Sequence, residues 1–432
     1  MTRASERFET TSEVLRQAET ILRAGLICDD CLGRAFGMLG HGLENDDRGK
    51  ILRERLALGG EPTEGRCWVC EGLFSALDVW ARRACDASHP YEFESYLFGV
   101  RLSPRQEAME KTFFDRFPTD AAEPLKRALN RRLGKAFEAL AKRGTVSFTH
   151  PHLTFTVDFG EQRLSLRVAS LCLYGRYRKL VRGLPQTHWP CRACRGTGCA
   201  ACHGTGKQYP ESVEELIGAI PTAMSGAAGA QLHGAGREDI DARMLGSGRP
   251  FVLELLSPRR RSLDLESLTD RVNASASGKV EILDVQVAPR GRIAEIKEAR
   301  AQKRYRALVL LAAPIDDVVL RKAAEGLVGV IEQRTPARVA HRRADLTRRR
   351  RVHAVQARPC SARQAELVLE TDGGLYIKEL ISGDAGRTCP SLAERLGFDA
   401  RVEELDVLDV RLPGGDRLES GDSSRKVSMY GE

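Results

Sequence analysis

Gly234-Ala235-Gly236-Arg237-Glu238-Asp239-Ile240-Asp241-Ala242-Arg243-Met244-Leu245-Gly246-Ser247-Gly248-Arg249-Pro250 is a charged stretch with glycines at both ends. Glycine lets a backbone bend sharply and come close to a ligand. The residues that follow, Phe251-Val252-Leu253-Glu254-Leu255-Leu256, read as a buried strand, so the loop is expected to be anchored on a core. An acid beside Arg237, Arg243 and Arg249 is expected to keep its anionic form at neutral pH. That state suits a carboxylate nucleophile. Asp239 and Asp241 both qualify, and a solvated turn with incidental ion pairs is the plainer alternative.

The surrounding chain has 432 residues, enough for two or three domains, each with its own core. Hydrophobic residues make up 42% and charged residues 29%, ordinary values for a globular protein. No apolar run reaches membrane-spanning length and the N-terminus has no signal-like apolar core, so a cytoplasmic protein with no membrane partner is expected. The net charge of +8 permits a nucleic-acid partner. Arginine far outnumbers lysine, which suits RNA, since guanidinium groups fork onto phosphates and stack on bases. A GC-rich genome would give the same bias.

Eight of the 12 cysteines fall in Cys-x-x-Cys pairs. In a cytosolic chain such pairs are metal ligands before they are disulfides. Cys28/Cys31 and Cys67/Cys70 match a four-thiolate structural zinc site, with a redox dithiol as the competing idea. Cys191-Arg192-Ala193-Cys194-Arg195-Gly196-Thr197-Gly198 is followed at once by Cys199-Ala200-Ala201-Cys202-His203-Gly204-Thr205-Gly206. One eight-residue unit is written twice, giving four more thiolates and glycines that turn backbone amides toward them. The same unit occurs in the zinc domain of DnaJ-type chaperones, but the four units and J-domain found there are absent here. The expected cofactor is structural zinc, one or two ions. His203 is expected to be a bystander, and Cys85, Cys172, Cys360 and Cys389 to be small buried hydrophobes.

Periodicity predicts helices over 8–26, 122–143, 291–302, 316–332 and 388–397. Leu125, Leu129, Leu133, Phe137 and Leu140 line one side of the second, which Gly144 should stop. Strands are predicted over 145–149, 153–159, 163–173, 279–287 and 402–412, with a frayed tail from Gly414. Tyr174 to Arg182 interleaves aromatic and cationic residues, a pattern suited to stacking and phosphate contact on exposed RNA. The arginine-rich run from Arg338 to Arg351 is punctuated by Val339, Leu346, Val352 and Val355, which predicts a strand with a phosphate-facing side.

Gly236-Arg237-x-Asp239 with the following Leu245-Gly246 resembles the catalytic-aspartate loop of pseudouridine synthases. Ala235 through Pro250 is similar to the archaeal and eukaryotic family that isomerises uridines 54 and 55 in the tRNA T loop. Gln333-Arg334-Thr335-Pro336 with Arg338 to Leu346, and Gly373 to Ile381, resemble the same family, while Leu173 through Pro190 is similar to its THUMP-bearing region. The resemblance implies an α+β multidomain chain: a helical zinc-binding segment (1–75), a THUMP-like RNA-binding domain (76–190), a zinc-knuckle junction (191–206) and a catalytic domain with a central antiparallel or mixed sheet (207–432). It places the catalytic role on Asp239 rather than Asp241. It implies that Arg237, Tyr305, Tyr376, Lys378 and Leu380 serve the target base, with the Tyr305 ring packed on it and Lys378 paired with the catalytic carboxylate. The knuckle cysteines point to the archaeal branch.

Uridine isomerisation cleaves N1–C1′, rotates the uracil and rejoins it through C5. No atom or electron is gained, so a tRNA partner, no nucleotide or organic cofactor and a monomer are expected. Attack of Asp239 on the sugar carbon, attack on uracil C6, stabilisation of a sugar cation and assistance to glycal formation all stay open. A non-catalytic, zinc-stapled RNA-binding protein is the competing reading. Other THUMP-bearing enzymes would need a nucleotide fingerprint that the chain lacks.

Overall fold

The computed structural model describes residues 8–40, 42–57 and 67–415. The chain divides into two compact units between Ala169 and Ser170. The predicted tail beyond residue 415 lies outside the described residues.

Among the described residues the first unit carries helices α1 (Ser12–Arg23), α2 (Asp29–Arg34), α3 (Asn45–Leu56), α4 (Leu77–Ser88), α5 (Pro104–Arg116) and α6 (Leu125–Ala141), and strands β1 (Ser95–Arg101), β2 (Thr145–Val146), β3 (Leu153–Asp158) and β4 (Arg163–Val168). Thr11 caps α1, its hydroxyl accepting from the Val14 N–H. Glycines let α2 and α3 approach backbone to backbone: a Cβ on Gly33 would lie 1.8 Å from the Asn45 carbonyl oxygen. The sheet runs β2-β1-β3-β4, with β1 parallel to both neighbours. Leu125, Leu129, Leu133 and Phe137 of α6 are buried, and Phe137 packs against Tyr96, Phe98 and Phe155 at 4.6–5.4 Å. Leu140, expected on that face, is 44% exposed. Lys142, at φ +51, ends the helix in place of Gly144.

The second unit follows the order β5 (Leu171–Lys179), α7 (Val213–Ser225), β6 (Gly229–Gly234), β7 (Arg243–Leu256), α8 (Leu265–Ser275), β8 (Val280–Ala288), α9 (Arg292–Glu298), β9 (Gln302–Leu311), α10 (Asp317–Glu325), β10 (Gly329–Arg334), β11 (Thr347–Ser361), β12 (Gln364–Asp372), α11 (Ile377–Ser382), β13 (Thr388–Cys389), α12 (Leu392–Leu396) and β14 (Ala400–Arg411). Its ten-stranded sheet runs β13-β10-β11-β12-β9-β14-β7-β5-β8, with β6 on β7. Only the β14–β7 pairing is parallel, so the sheet is mixed. Phe251 to Leu255 is buried throughout, as expected for a strand covered on both faces.

Four further expectations are corrected. The run 163–173 is two strands in separate sheets, broken at Ala169 and Ser170. Tyr174, Arg176, Tyr177 and Lys179 are buried in β5 rather than offered to RNA, because that strand sits inside the large sheet. The helix expected over 316–332 stops at Glu325, and β10 takes the rest. Cys360 and Cys389 are exposed, and only Cys172 of the four isolated cysteines is buried.

Candidate active site and metal centres

The loop between β6 and β7 is pinned from beneath. Glu238, fully sealed, accepts from the Tyr177 hydroxyl at 2.9 and 3.0 Å and from Arg249 Nε at 2.8 Å. Burial works against its charge, yet Arg249, Lys179, a backbone N–H and Tyr177 hold its carboxyl below the usual range. Lys179 Nζ donates to the carbonyls of Leu184 (2.8 Å), Asp239 (3.2 Å) and Ile240 (3.1 Å). Burial pushes that amine down to about 8, against the pull of Glu238. Gln186 Nε2 ties the Tyr177 oxygen (2.8 Å) to the Gly236 carbonyl (3.1 Å). Gly236 turns at φ +80, where an L side chain is strained. A buried residue therefore fixes the backbone while its neighbour, Asp239, faces outward.

The Asp239 side chain is 33% exposed. Arg338 Nη2 donates to its Oδ2 at 3.0 Å and Nη1 to its Oδ1 at 3.4 Å. Lys378 Nζ stands 3.7 Å from the same Oδ2 and donates to Asp241 Oδ2 at 2.5 Å. The other end of Arg338 is anchored: Nε donates to Glu379 Oε1 at 2.7 Å, and the guanidinium lies 5.8 Å from the Tyr376 ring centre. Burial disfavours its charge, but Glu379 and Asp239 raise its pKa above the ordinary value. Glu379 is buried, and among the described residues its Oε2 has no hydrogen-bond partner. Gln333, at the end of β10, clamps Tyr376 by accepting from its N–H (2.8 Å) and donating to its carbonyl (3.0 Å).

Of the three arginines expected around the acid, Arg249 is bound to Glu238, Arg243 grips Asp406, and Arg237 lies 4.9 Å over the Trp189 ring. Among the described residues the cation nearest the Asp239 carboxylate is Arg338, expected on a phosphate-facing strand. It sits instead on a short 3-10 turn, Ala337–Arg342. Its one sequence signal was its place in the Gln333–Leu346 motif. Tyr305, implied to pack on the target base, lies on β9 and is buried, and its pKa is pushed up to about 12 by burial, with Asp239 and Glu238 adding and Arg249 opposing. Leu380 is fully buried in the core. A depression of about 520 Å³ lined by Arg176, Arg178, Asp284, Asp409 and Arg411 shares no residue with this cluster. Its arginines are committed to backbone carbonyls or to Asp409.

Each set of four cysteines converges. Cys28, Cys31, Cys67 and Cys70 form one group and Cys191, Cys194, Cys199 and Cys202 the other, the sulfurs of each within 4.8 Å of one another. Measured separations are 3.6 Å for Cys28–Cys70 and 4.0, 3.8 and 3.7 Å in the second group. Thiolates about 2.3 Å from a tetrahedral ion stand about 3.8 Å apart, so both sets fit one. In the second group the N–H groups of Gly198 and Gly206 donate to the sulfurs of Cys194 and Cys202 at 3.2 Å. The glycine repeat has a further cause: a Cβ on Gly206 would lie 2.3 Å from the Gly196 carbonyl oxygen, so the knuckles interlock through bare backbone.

Among the described residues no helix is long and apolar enough to cross a membrane. Residues 172–411 match the family model "Pus10, C-terminal", and residues 80–158 match "Pus10 THUMP domain, archaeal". Similar proteins include the tRNA pseudouridine synthase Pus10 of Methanothrix thermoacetophila, 42% identical, with 92% of this chain and 95% of the relative covered. The protein of the same name from Halorubrum lacusprofundi is 45% identical over 92% and 96%, and that from Methanothermobacter marburgensis 44% over 90% and 96%. Among solved structures, a Cbf5-Nop10-Gar1 complex aligns with a TM-score of 0.30 at 16% identity, covering 55% of this chain and 48% of that one, a likeness too slight to argue from.

Proposed function

The chain belongs to the Pus10 family, and from that premise we propose that it is a tRNA pseudouridine synthase, an isomerase acting on uridine 54, uridine 55 or both in the T loop, with Asp239 as its catalytic carboxylate. The observation that carries this reading is the setting of Asp239. One buried carboxylate, Glu238, fixes the loop, and Arg338 steadies the outward-facing carboxylate of the adjacent Asp239 at 3.0 Å. A fixed, partly exposed anion is what scission of N1–C1′ needs at the sugar carbon or at the base.

The reaction cleaves N1–C1′, joins C5 to C1′, removes the C5 proton and returns a proton to N1, so atoms and electrons balance within the nucleotide. The target uridine must leave its stack to reach Asp239. Tyr305 offers a ring for it, and base–aromatic stacking contributes roughly 1–3 kcal/mol. Arg237, Tyr376 and Lys378 complete the substrate-facing set, with Leu380 backing it from the core. Structural zinc, held by Cys28, Cys31, Cys67 and Cys70 and by Cys191, Cys194, Cys199 and Cys202, braces the fold and takes no part in the chemistry. We read the protein as a cytoplasmic monomer whose partner is tRNA and which uses no nucleotide cofactor.

Purified protein incubated with an unmodified tRNA transcript is expected to yield pseudouridine at a T-loop uridine, and transcripts with cytidine at 54 or at 55 assign the position. No product at either position would count against the reading.

A further inference from the structure

Most cations around the Asp239 loop have partners. Arg249 is bound to Glu238 and the Ala235 carbonyl, Lys179 to three carbonyls, Arg338 to Asp239 and Glu379, and Lys378 to Asp241. Lys303 differs: among the described residues no hydrogen bond or ion pair meets its ammonium group. It lies on β9 two residues before Tyr305, hence on the same face and about 7 Å along the strand. Its Nζ reaches the Asp239 loop, where a Cβ on Gly236 would lie 3.0 Å from it and 3.4 Å from Arg249 Nη1. Gly236 thus leaves the space that the ammonium uses. The side chain is half-buried and its ammonium has no protein partner among the described residues, so a ligand oxygen could pair with it without displacing an existing bond. Burial and the like charge of Arg249 push its pKa down to about 7, with Glu238 pulling the other way.

We propose that Lys303 is a further catalytic residue, whose ammonium donates a hydrogen bond to a carbonyl oxygen of the target uracil and stabilises the charge the ring acquires when N1–C1′ breaks. The inference rests on the pseudouridine synthase reading. When that bond breaks, its electron pair passes to N1 and spreads onto O2 and O4, while C1′ becomes electron-poor. Asp239 faces the electron-poor centre and Lys303 the electron-rich ring; no proton has to leave Lys303. The base is favoured over a phosphate because Lys303 shares its strand face with Tyr305 and its Nζ lies against the Gly236 backbone of the Asp239 loop. The ionisable groups acting on Lys303 are Arg249 and Glu238, from β7 and the loop; Tyr305 shares its strand face, and Arg304, His353, Glu370 and Arg411 line a small cavity with it.

The test uses full-length Lys303→Met and Lys303→Arg with unmodified tRNA transcript, reading single-turnover rate, tRNA Kd and melting temperature. Lys303→Met is expected to lower the rate about 100-fold with Kd within twofold of the parent, and Lys303→Arg to recover most of it. The parent rate should fall as pH rises through about 7, and that limb should vanish in Lys303→Arg, whose charge persists. A Lys303→Met rate within threefold of the parent overturns the proposal. So does a loss residing in Kd with a salt slope shallower by about one, the mark of a phosphate contact. Should Lys303→Met fail to fold, the Lys303→Arg profile decides, and an unchanged limb overturns the proposal. A parent protein that makes no pseudouridine refutes the functional reading; an active parent with an unimpaired Lys303→Met refutes this inference alone.

Discussion

Arg338→Met separates two tasks that one guanidinium performs. Toward Asp239 it removes hydrogen bonds of 3.0 and 3.4 Å from a carboxylate that is one-third exposed. A hydrogen bond to a charged group contributes about 1.5–3 kcal/mol, and solvent at this site puts the value near the lower end. At about 1.4 kcal/mol per tenfold, a loss of about 1.5–2 kcal/mol slows the chemical step about 10–30-fold. Toward Glu379 the change is larger in stability. Oε1 loses its 2.7 Å donor and Oε2 has no partner among the described residues, so a buried carboxylate loses its one described cation. Breaking a buried pair costs about 3–5 kcal/mol, reduced here to about 2–3 because Arg338 is 38% exposed. The second unit should then melt about 4–12 °C lower. Adding Glu379→Gln removes the stranded charge and should recover at least half of the melting loss while leaving the rate low. Single-turnover assays and thermal melts of the parent, both single variants and the double variant read both quantities. A parental rate in Arg338→Met, or a double variant that melts no higher than Arg338→Met, refutes the reasoning.

Glu238→Gln leaves Arg249 sealed without its anion and should cost about 3–5 kcal/mol, read by urea unfolding. Because the folded Glu238 carboxyl titrates below its ordinary 4.5, its contribution is complete above that pH and is lost as pH falls through the lower folded value, so parent and variant should converge in acid. Gly33→Ala and Gly49→Ala should each lower the melting temperature of the first unit, since the new Cβ would lie 1.8 Å and 2.2 Å from carbonyl oxygens across the α2–α3 crossing; a parental melt would contradict that contact. Chelation should release up to two zinc ions per chain, and Cys191→Ser should reduce the metal count, by elemental analysis, to one.

The loop, the buried strand after it and both cysteine sets were legible because each rests on local pattern: glycine at turns, an unbroken apolar run, thiol spacing. The partner of Asp239 was not. Arg338 is 99 residues away in sequence, and inside an arginine-rich run no periodicity separates one guanidinium turned inward from those facing solvent. Glu238 was hidden for the opposite reason: an acid in a charged loop reads as solvated, whereas Tyr177 and Arg249 make its burial tolerable. Tyr174 to Lys179 misled because aromatic–cation alternation fits an exposed RNA surface and a sheet interior equally well. Here the paired strands β7 and β8 choose the interior.

The central claim, that an anion at position 239 drives uridine isomerisation, is tested most directly by Asp239→Asn, which keeps size and shape but removes the charge. On unmodified tRNA transcript the parent should form pseudouridine in the T loop, and the variant should bind the transcript equally well yet form none above about one part in a thousand of the parental rate. An Asp239→Asn protein that still modifies the T loop near the parental rate would contradict the account.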